Sequence, residues 1–142
     1  WSRAPLESLE ATRAYLARDA TGDWRAWFIT LTGDDRAIGW VSTGEKRQGG
    51  VSEIGYILSP AVQGQGIARE ALSAVIDRLF AEGKRRVFAD TDPENAASNR
   101  LLEALGFRRE GLLRAEWETH IGVRDSVIWG LLREEWQCSI SR

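Results

Sequence analysis

Two places in this chain hold residues fit for chemistry. The first is Gln63-Gly64-Gln65-Gly66-Ile67-Ala68, a seam between an apolar run ending at Leu58 and a helical pattern starting at Gly66. The second is Glu53, a carboxylate inside the otherwise apolar run VSEIGYIL, 51–58. A helix N-terminus presents unpaired backbone N–H groups and about half a positive charge, so it stabilises a phosphate placed there. Glycines let the backbone approach such a ligand and adopt positive φ. The seam is therefore either an ordinary strand-to-helix turn or an anion cradle. It is not a Walker loop, which needs a Lys after its last glycine. The dinucleotide fingerprint also fails, because Arg69 stands where its third glycine belongs.

Other reactive residue types carry less. Asn95 and Ser98 stand at a helix start, where capping alone accounts for them. His120, the lone histidine, falls in a predicted hairpin loop and reads as solvated. Cys138 is the sole cysteine, so no intrachain disulfide forms; this fits a reducing, cytoplasmic setting. No metal-ligand cluster is present, and no metal is expected. The formal net charge is −2, which gives no general drive toward nucleic acid or an anionic membrane. No apolar run approaches the length of a membrane span. The short basic runs 45–47 and 84–86 read as solvated surface, with a phosphate contact as the alternative. Five of the Trp residues (24, 27, 40, 117 and 129) read as core or groove lining rather than a base-stacking platform.

These residues need elements to place them. At 142 residues the chain suits one domain with one core. Residues 7–19 carry helical spacing, with Ser8 as a possible N-cap. Strands are predicted over 24–31, 37–43 and 51–58, with a turn at 33–35 and a polar loop over 44–50. In 51–58, Glu53, Gly55 and Ile57 share one face; Ile54, Tyr56 and Leu58 share the other. From Gly66, Ala68, Ala71, Leu72, Val75, Ile76, Leu79 and Phe80 make one apolar helix face, stopped at Gly83. A strand over 85–91, a helix over 92–107 and strands over 107–117 and 124–132 follow. The order α-β-β-β-α-β-α-β-β implies an α/β fold: a mixed, mostly antiparallel sheet flanked by helices.

Gln63-x-x-Gly66-x-Ala68 resembles the Arg/Gln-x-x-Gly-x-Gly/Ala loop of the GNAT superfamily of acyl-CoA N-acyltransferases. Downstream, Asn95 and Ser98, then Gly106-Phe107, then Glu110-Gly111 resemble the branch of ribosomal-protein N-terminal alanine and serine acetyltransferases. Residues 124–136 resemble that branch's closing strand, and 6–16 its second helix. The family fold opens with a further strand and helix, which implies that they are missing from this chain.

The resemblance implies acetyl-CoA as co-substrate and direct attack of an amine on its thioester. It implies that Gln63, Gly64, Gln65, Gly66, Ile67 and Ala68 cradle the pyrophosphate. Backbone N–H groups of Tyr56, Ile57 and Leu58 would hold the acetyl carbonyl. Glu53 would be the base, directly or through water, with an ion-paired groove carboxylate as the alternative. Many members place an acidic Tyr four positions before the Gly-Phe glycine, but here that position is Leu102, so Ser98 is the implied acid. Asn95 would contact the pantetheine or the bound acetyl region, and Asn99 is a further cofactor-binding candidate. The implied acceptor is a protein N-terminal α-amine, with a small-molecule amine such as an antibiotic, polyamine or amino acid as the alternative. A non-catalytic acyl-CoA-binding module is the other class, and a tRNA acceptor gets no support from the net charge. No nucleic-acid or membrane partner is expected, and the chain would be a monomer or homodimer.

Overall fold

The computed structural model describes residues 8–18, 24–47 and 49–140. Its elements are α1 (Leu9–Arg18), β1 (Arg25–Leu31), β2 (Asp34–Arg47), β3 (Val51–Leu58), α2 (Ile67–Ala81), β4 (Arg86–Thr91), α3 (Ala96–Ala104), β5 (Arg108–Thr119), β6 (Gly122–Leu132) and α4 (Arg133–Ile140). The six strands form one sheet in the order β1-β2-β3-β4-β6-β5. Only β3 and β4 run parallel; every other neighbouring pair is antiparallel. The expected mixed, mostly antiparallel architecture is therefore present.

Strand alternation sets the core. Val41 of β2, Ile54 of β3, Val87 and Ala89 of β4, and Val127, Trp129 and Leu131 of β6 join one buried cluster. The apolar stripe of α2 packs into the same cluster through Leu72, Ile76 and Leu79, each 0% exposed. Burying such a side chain contributes about 2 kcal/mol, which is what holds α2 and its N-terminus against the sheet. Leu102 of α3, with Leu105 and Phe107 just beyond it, completes the cluster. Leu102 has no exposure at all, so it serves packing.

Element types agree with the sequence patterns; several boundaries differ. Ser8 caps α1, its Oγ accepting the Ala11 N–H at 3.0 Å. The polar stretch from Gly44 was expected as a loop, yet Gly44 and Glu45 pair with Glu53 and Ser52. Pairing to β3 outweighs the weak strand propensity of those residues. The turn shrinks to residues near Gly49 and Gly50, both at positive φ. The loop predicted over 118–122 likewise narrows to 120–121, with exposed His120 at its tip. Residues 133–136 were expected to continue the last strand but begin α4. Glu135 Oε2 accepts the Leu132 N–H at 2.9 Å, half of a capping box. Trp136 is buried, and its Nε1 donates to Asp77 of α2 at 2.6 Å, anchoring the new helix. No helix among the described residues is long and apolar enough to cross a membrane.

The end of β4 is fixed by a charged clamp. Arg124 of β6 donates to both oxygens of Asp92, at 2.8 and 3.0 Å. It also reaches Glu94 at 2.6 Å. Asp92 is 6% exposed, and the hydrogen bond from Arg124 holds its carboxyl below the usual range. Arg124→Leu leaves this carboxylate without its cation and is expected to lower the urea unfolding midpoint at neutral pH. Because the folded pKa is depressed, the clamp's contribution is present above the unfolded value of about 3.9 and is lost as pH falls through the folded value. The stability gap between variant and wild type should hold from neutral pH to about pH 5 and narrow below about pH 4.

Candidate active site

The site begins where the sheet comes apart. β3 and β4 pair at Val51↔Arg86, Ser52↔Val87 and Glu53↔Phe88, and no further. β3 stays paired to β2 through Gly39↔Leu58, while β4 stays paired to β6 through Thr91↔Val127. Each strand follows its outer neighbour, and an opening forms between them. The Ser59 N–H donates to Ile38 O at 2.8 Å, toward β2. By alternation the N–H groups of Tyr56 and Leu58 point the other way, into the opening, whereas that of Ile57 points toward β2.

The glycine-rich seam closes one end of this opening. Gln63 Nε2 donates to Leu58 O at 3.0 Å, folding the loop back onto β3. Gly64 and Gly66 hold φ of 78° and 80°. A Cβ built on either would meet nothing within 4 Å, so both glycines border open space. The first α2 backbone bond runs from Glu70 N–H to Gly66 O at 3.1 Å. The N–H groups of Ile67, Ala68 and Arg69 precede it and have no acceptor within the helix. A groove of about 520 Å³ runs from this seam along Tyr56, Ile57 and Leu58 to Asn95 and Ser98 of α3.

Arg69 and Arg100 line the same groove, exposed and without an ion pair among the described residues. Sequence reasoning named neither as a groove residue. The available signal was Arg69 in the first turn of the helix that opens the seam. The basic runs considered instead lie at the far end of the sheet, beside the start of β3. There Lys84 pairs with Glu45 at 2.6 Å and Arg86 pairs with Glu110 at 2.5 Å.

A second cavity of about 240 Å³ lies beyond the opening and shares Tyr56, Asn95 and Ser98 with the groove. Glu53, Asp90 and Trp117 line it. Glu53 stands on the sheet face opposite Ile54 and Tyr56, as the alternation predicts. Asp90 was not foreseen. Its Oδ2 accepts from Trp117 Nε1 at 3.0 Å, and its Oδ1 accepts from Ser126 Oγ. An irregularity in β5 between Leu113 and Trp117, with Ala115 at φ 51°, re-aims the indole toward Asp90.

The α3 residues divide by role. Asn95 caps the helix, its Oδ1 accepting the Ser98 N–H at 3.1 Å, and also lines both cavities. Asn99 lines neither. It accepts from Thr91 Oγ1 at 2.7 Å and donates to Pro93 O at 3.1 Å, so it ties α3 to β4 rather than facing a ligand. Gln65 is exposed and does not line the groove either. Among the described residues no group of side chains could hold a metal ion.

Chemically, the arrangement suits an extended anion with a reactive end. Helix N–H groups, positive-φ glycines and two guanidinium groups without an ion pair among the described residues are available to phosphates. The far end meets two backbone N–H donors, with a carboxylate on the opposite face. The shape and donors suit an acyl–nucleotide ligand held across a split sheet. A family model for the acetyltransferase (GNAT) domain matches residues 1–108, and the chain belongs to that family.

Relatives agree. The chain is 40% identical over 101 residues to the probable N-acetyltransferase YjcK of Bacillus subtilis, covering 65% of this chain and 56% of YjcK. It is 32% identical over 74 residues to the ribosomal protein bS18-alanine N-acetyltransferase of Escherichia coli, covering 52% and 50%. The crystal structure of a probable GNAT acetyltransferase from Chromobacterium violaceum superposes with a TM-score of 0.86 at 30% identity, covering 94% and 69%. Mycobacterium smegmatis RimJ, solved in complex with CoA-disulfide, superposes at 0.76 and 30% identity, covering 89% and 61%. The chain thus spans little more than half of YjcK.

Three variants test the groove by calorimetry with coenzyme A. Gly66→Asp puts a carboxylate into the open space at a positive-φ position, and binding should be abolished; unchanged affinity would remove the pyrophosphate assignment. Arg69→Ala and Arg100→Ala should each weaken binding about fivefold, roughly 1 kcal/mol for an exposed charge pair, and flatten its salt dependence.

Proposed function

We propose that the protein transfers an acetyl group from acetyl-CoA to a primary amine by direct attack. One observation carries the reading: a groove lined by the glycine seam and a chamber lined by Glu53 share Tyr56, Asn95 and Ser98, where β3 and β4 stop pairing. The thioester carbonyl lies at the opening, where the N–H groups of Tyr56 and Leu58 stabilise its developing oxyanion. The amine arrives from the chamber, and Glu53 takes up its proton, directly or through one water. Asn95 holds the pantetheine arm where the two cavities meet.

We infer a polypeptide α-amine as the acceptor. The bS18-alanine enzyme among the relatives supports it. So does the chemistry: an α-amine has a pKa of about 7.7–8.0 against about 10.4 for a lysine, so one carboxylate suffices as base near neutral pH.

The test is free-thiol release from acetyl-CoA across short peptides with free or blocked N-termini and a panel of small amines. Turnover confined to free N-termini is expected. Turnover confined to small amines would overturn the acceptor. Coenzyme A binding without any turnover would leave only a binding module. Separately, Glu53→Gln should lower kcat most at low pH, where more of the amine is protonated, and least at high pH. A rate loss equal at every pH would remove Glu53 as base.

A further inference from the structure

The acid that protonates the leaving thiolate is the part of this reaction least supported by the residues considered so far. Leu102 is fully buried in the core and has no proton to give. Ser98 borders both cavities, but an aliphatic hydroxyl is a very poor acid. Tyr56 borders both cavities as well. Its side chain lies on the groove face of β3, alternating with Glu53 on the chamber face. Its hydroxyl oxygen is buried and makes no hydrogen bond of adequate geometry. Leaving a buried hydroxyl unsatisfied is costly, and a fold keeps one where a ligand completes it.

We propose that the Tyr56 hydroxyl protonates the sulfur of coenzyme A as the thioester breaks, with Ser98 beside it as the group that returns the proton. The proposal rests on the acetyl-transfer reading above. The step balances. The amine nitrogen bonds to the carbonyl carbon, and its surplus proton goes to Glu53. The C–S bond breaks with its electron pair on sulfur. Tyr56 O–H gives that sulfur its proton, and the phenolate regains one through Ser98 from solvent. Burial holds the phenol above its ordinary value, with Ser98 partly opposing that shift, so the proton is in place throughout the working range. The same phenol's N–H neighbour on the backbone faces the carbonyl, so one residue serves both ends of the breaking bond.

The experiment compares two acyl donors, acetyl-CoA and its selenoester analogue, whose selenolate leaves without a proton. Tyr56→Phe keeps the ring and its packing. With acetyl-CoA, kcat should fall about 100-fold, as for loss of a general acid, while KM for the donor stays within about twofold. With the selenoester the variant should approach wild type. Equal losses with both donors would make Tyr56 a packing residue, and no loss with acetyl-CoA would also overturn the proposal. Ser98→Ala should lose less than tenfold; a larger, donor-dependent loss there, with Tyr56→Phe unaffected, would move the acid to Ser98. Should Tyr56→Phe not fold, a fluorotyrosine at position 56, with a more acidic phenol, replaces it. Its ratio of thioester to selenoester rates should then differ from wild type, and an unchanged ratio would overturn the proposal. Failure of the acetyl-transfer reading looks different: wild type would bind coenzyme A and turn over neither donor.

Discussion

The structure depends on one failure of pairing. Strands β3 and β4 share three residue pairs, ending at Glu53↔Phe88, and then separate. A continuous sheet would use the N–H groups of Tyr56 and Leu58 in its own ladder. Separation leaves them for a ligand and joins a groove on one face to a chamber on the other. The separation persists because each strand is held by a different neighbour. β2 holds β3 to its last residue, and β6 holds β4 to its last residue.

What surrounds the opening keeps it open in one shape. On one side, Gln63 folds the glycine seam onto the end of β3, and the buried stripe of α2 fixes the helix N-terminus that faces the groove. On the other side, Arg124 clamps Asp92 while Trp129, Thr91 and Asn99 form a hydrogen-bonded chain at the start of α3. Trp129 Nε1 donates to Thr91 Oγ1 at 2.9 Å, deep in the core. That chain sets where Asn95 and Ser98 stand. The site is therefore built from strand ends and helix starts whose backbone groups have lost regular partners, which is the supply of donors that an anionic ligand requires.

The division of labour across the sheet follows from period-2 alternation. Positions 53 and 56, of opposite parity, place a carboxylate on the chamber face and a phenol on the groove face of β3. The chamber's second carboxylate, Asp90, is oriented by Trp117 and Ser126 rather than by a cation among the described residues.

Local chemistry was enough to read much of this. The glycine seam between an apolar strand and an amphipathic helix, the carboxylate in 51–58, and the capping signals at 92–95 are statements about neighbours along the chain. Alternation and helical period carried them to the right element types, and the resemblance of Gln63-x-x-Gly66-x-Ala68, Asn95, Ser98 and Gly106-Phe107 to known motifs pointed to one family. Where local pattern failed, a distant partner decided. Residues 44–47 are strand because β3 pairs with them, and 133–136 are helix because Trp136 finds Asp77. Asn99 faces Thr91 instead of the groove, and Asp90 and Arg100 reach the cavities only because the sheet and α3 carry them there. The chain's own order of residues determined which groups exist to do chemistry and the face each occupies. Only the tertiary structure decided which of them meet, because separation of β3 from β4 depends on pairings to β2 and β6 that no local stretch encodes.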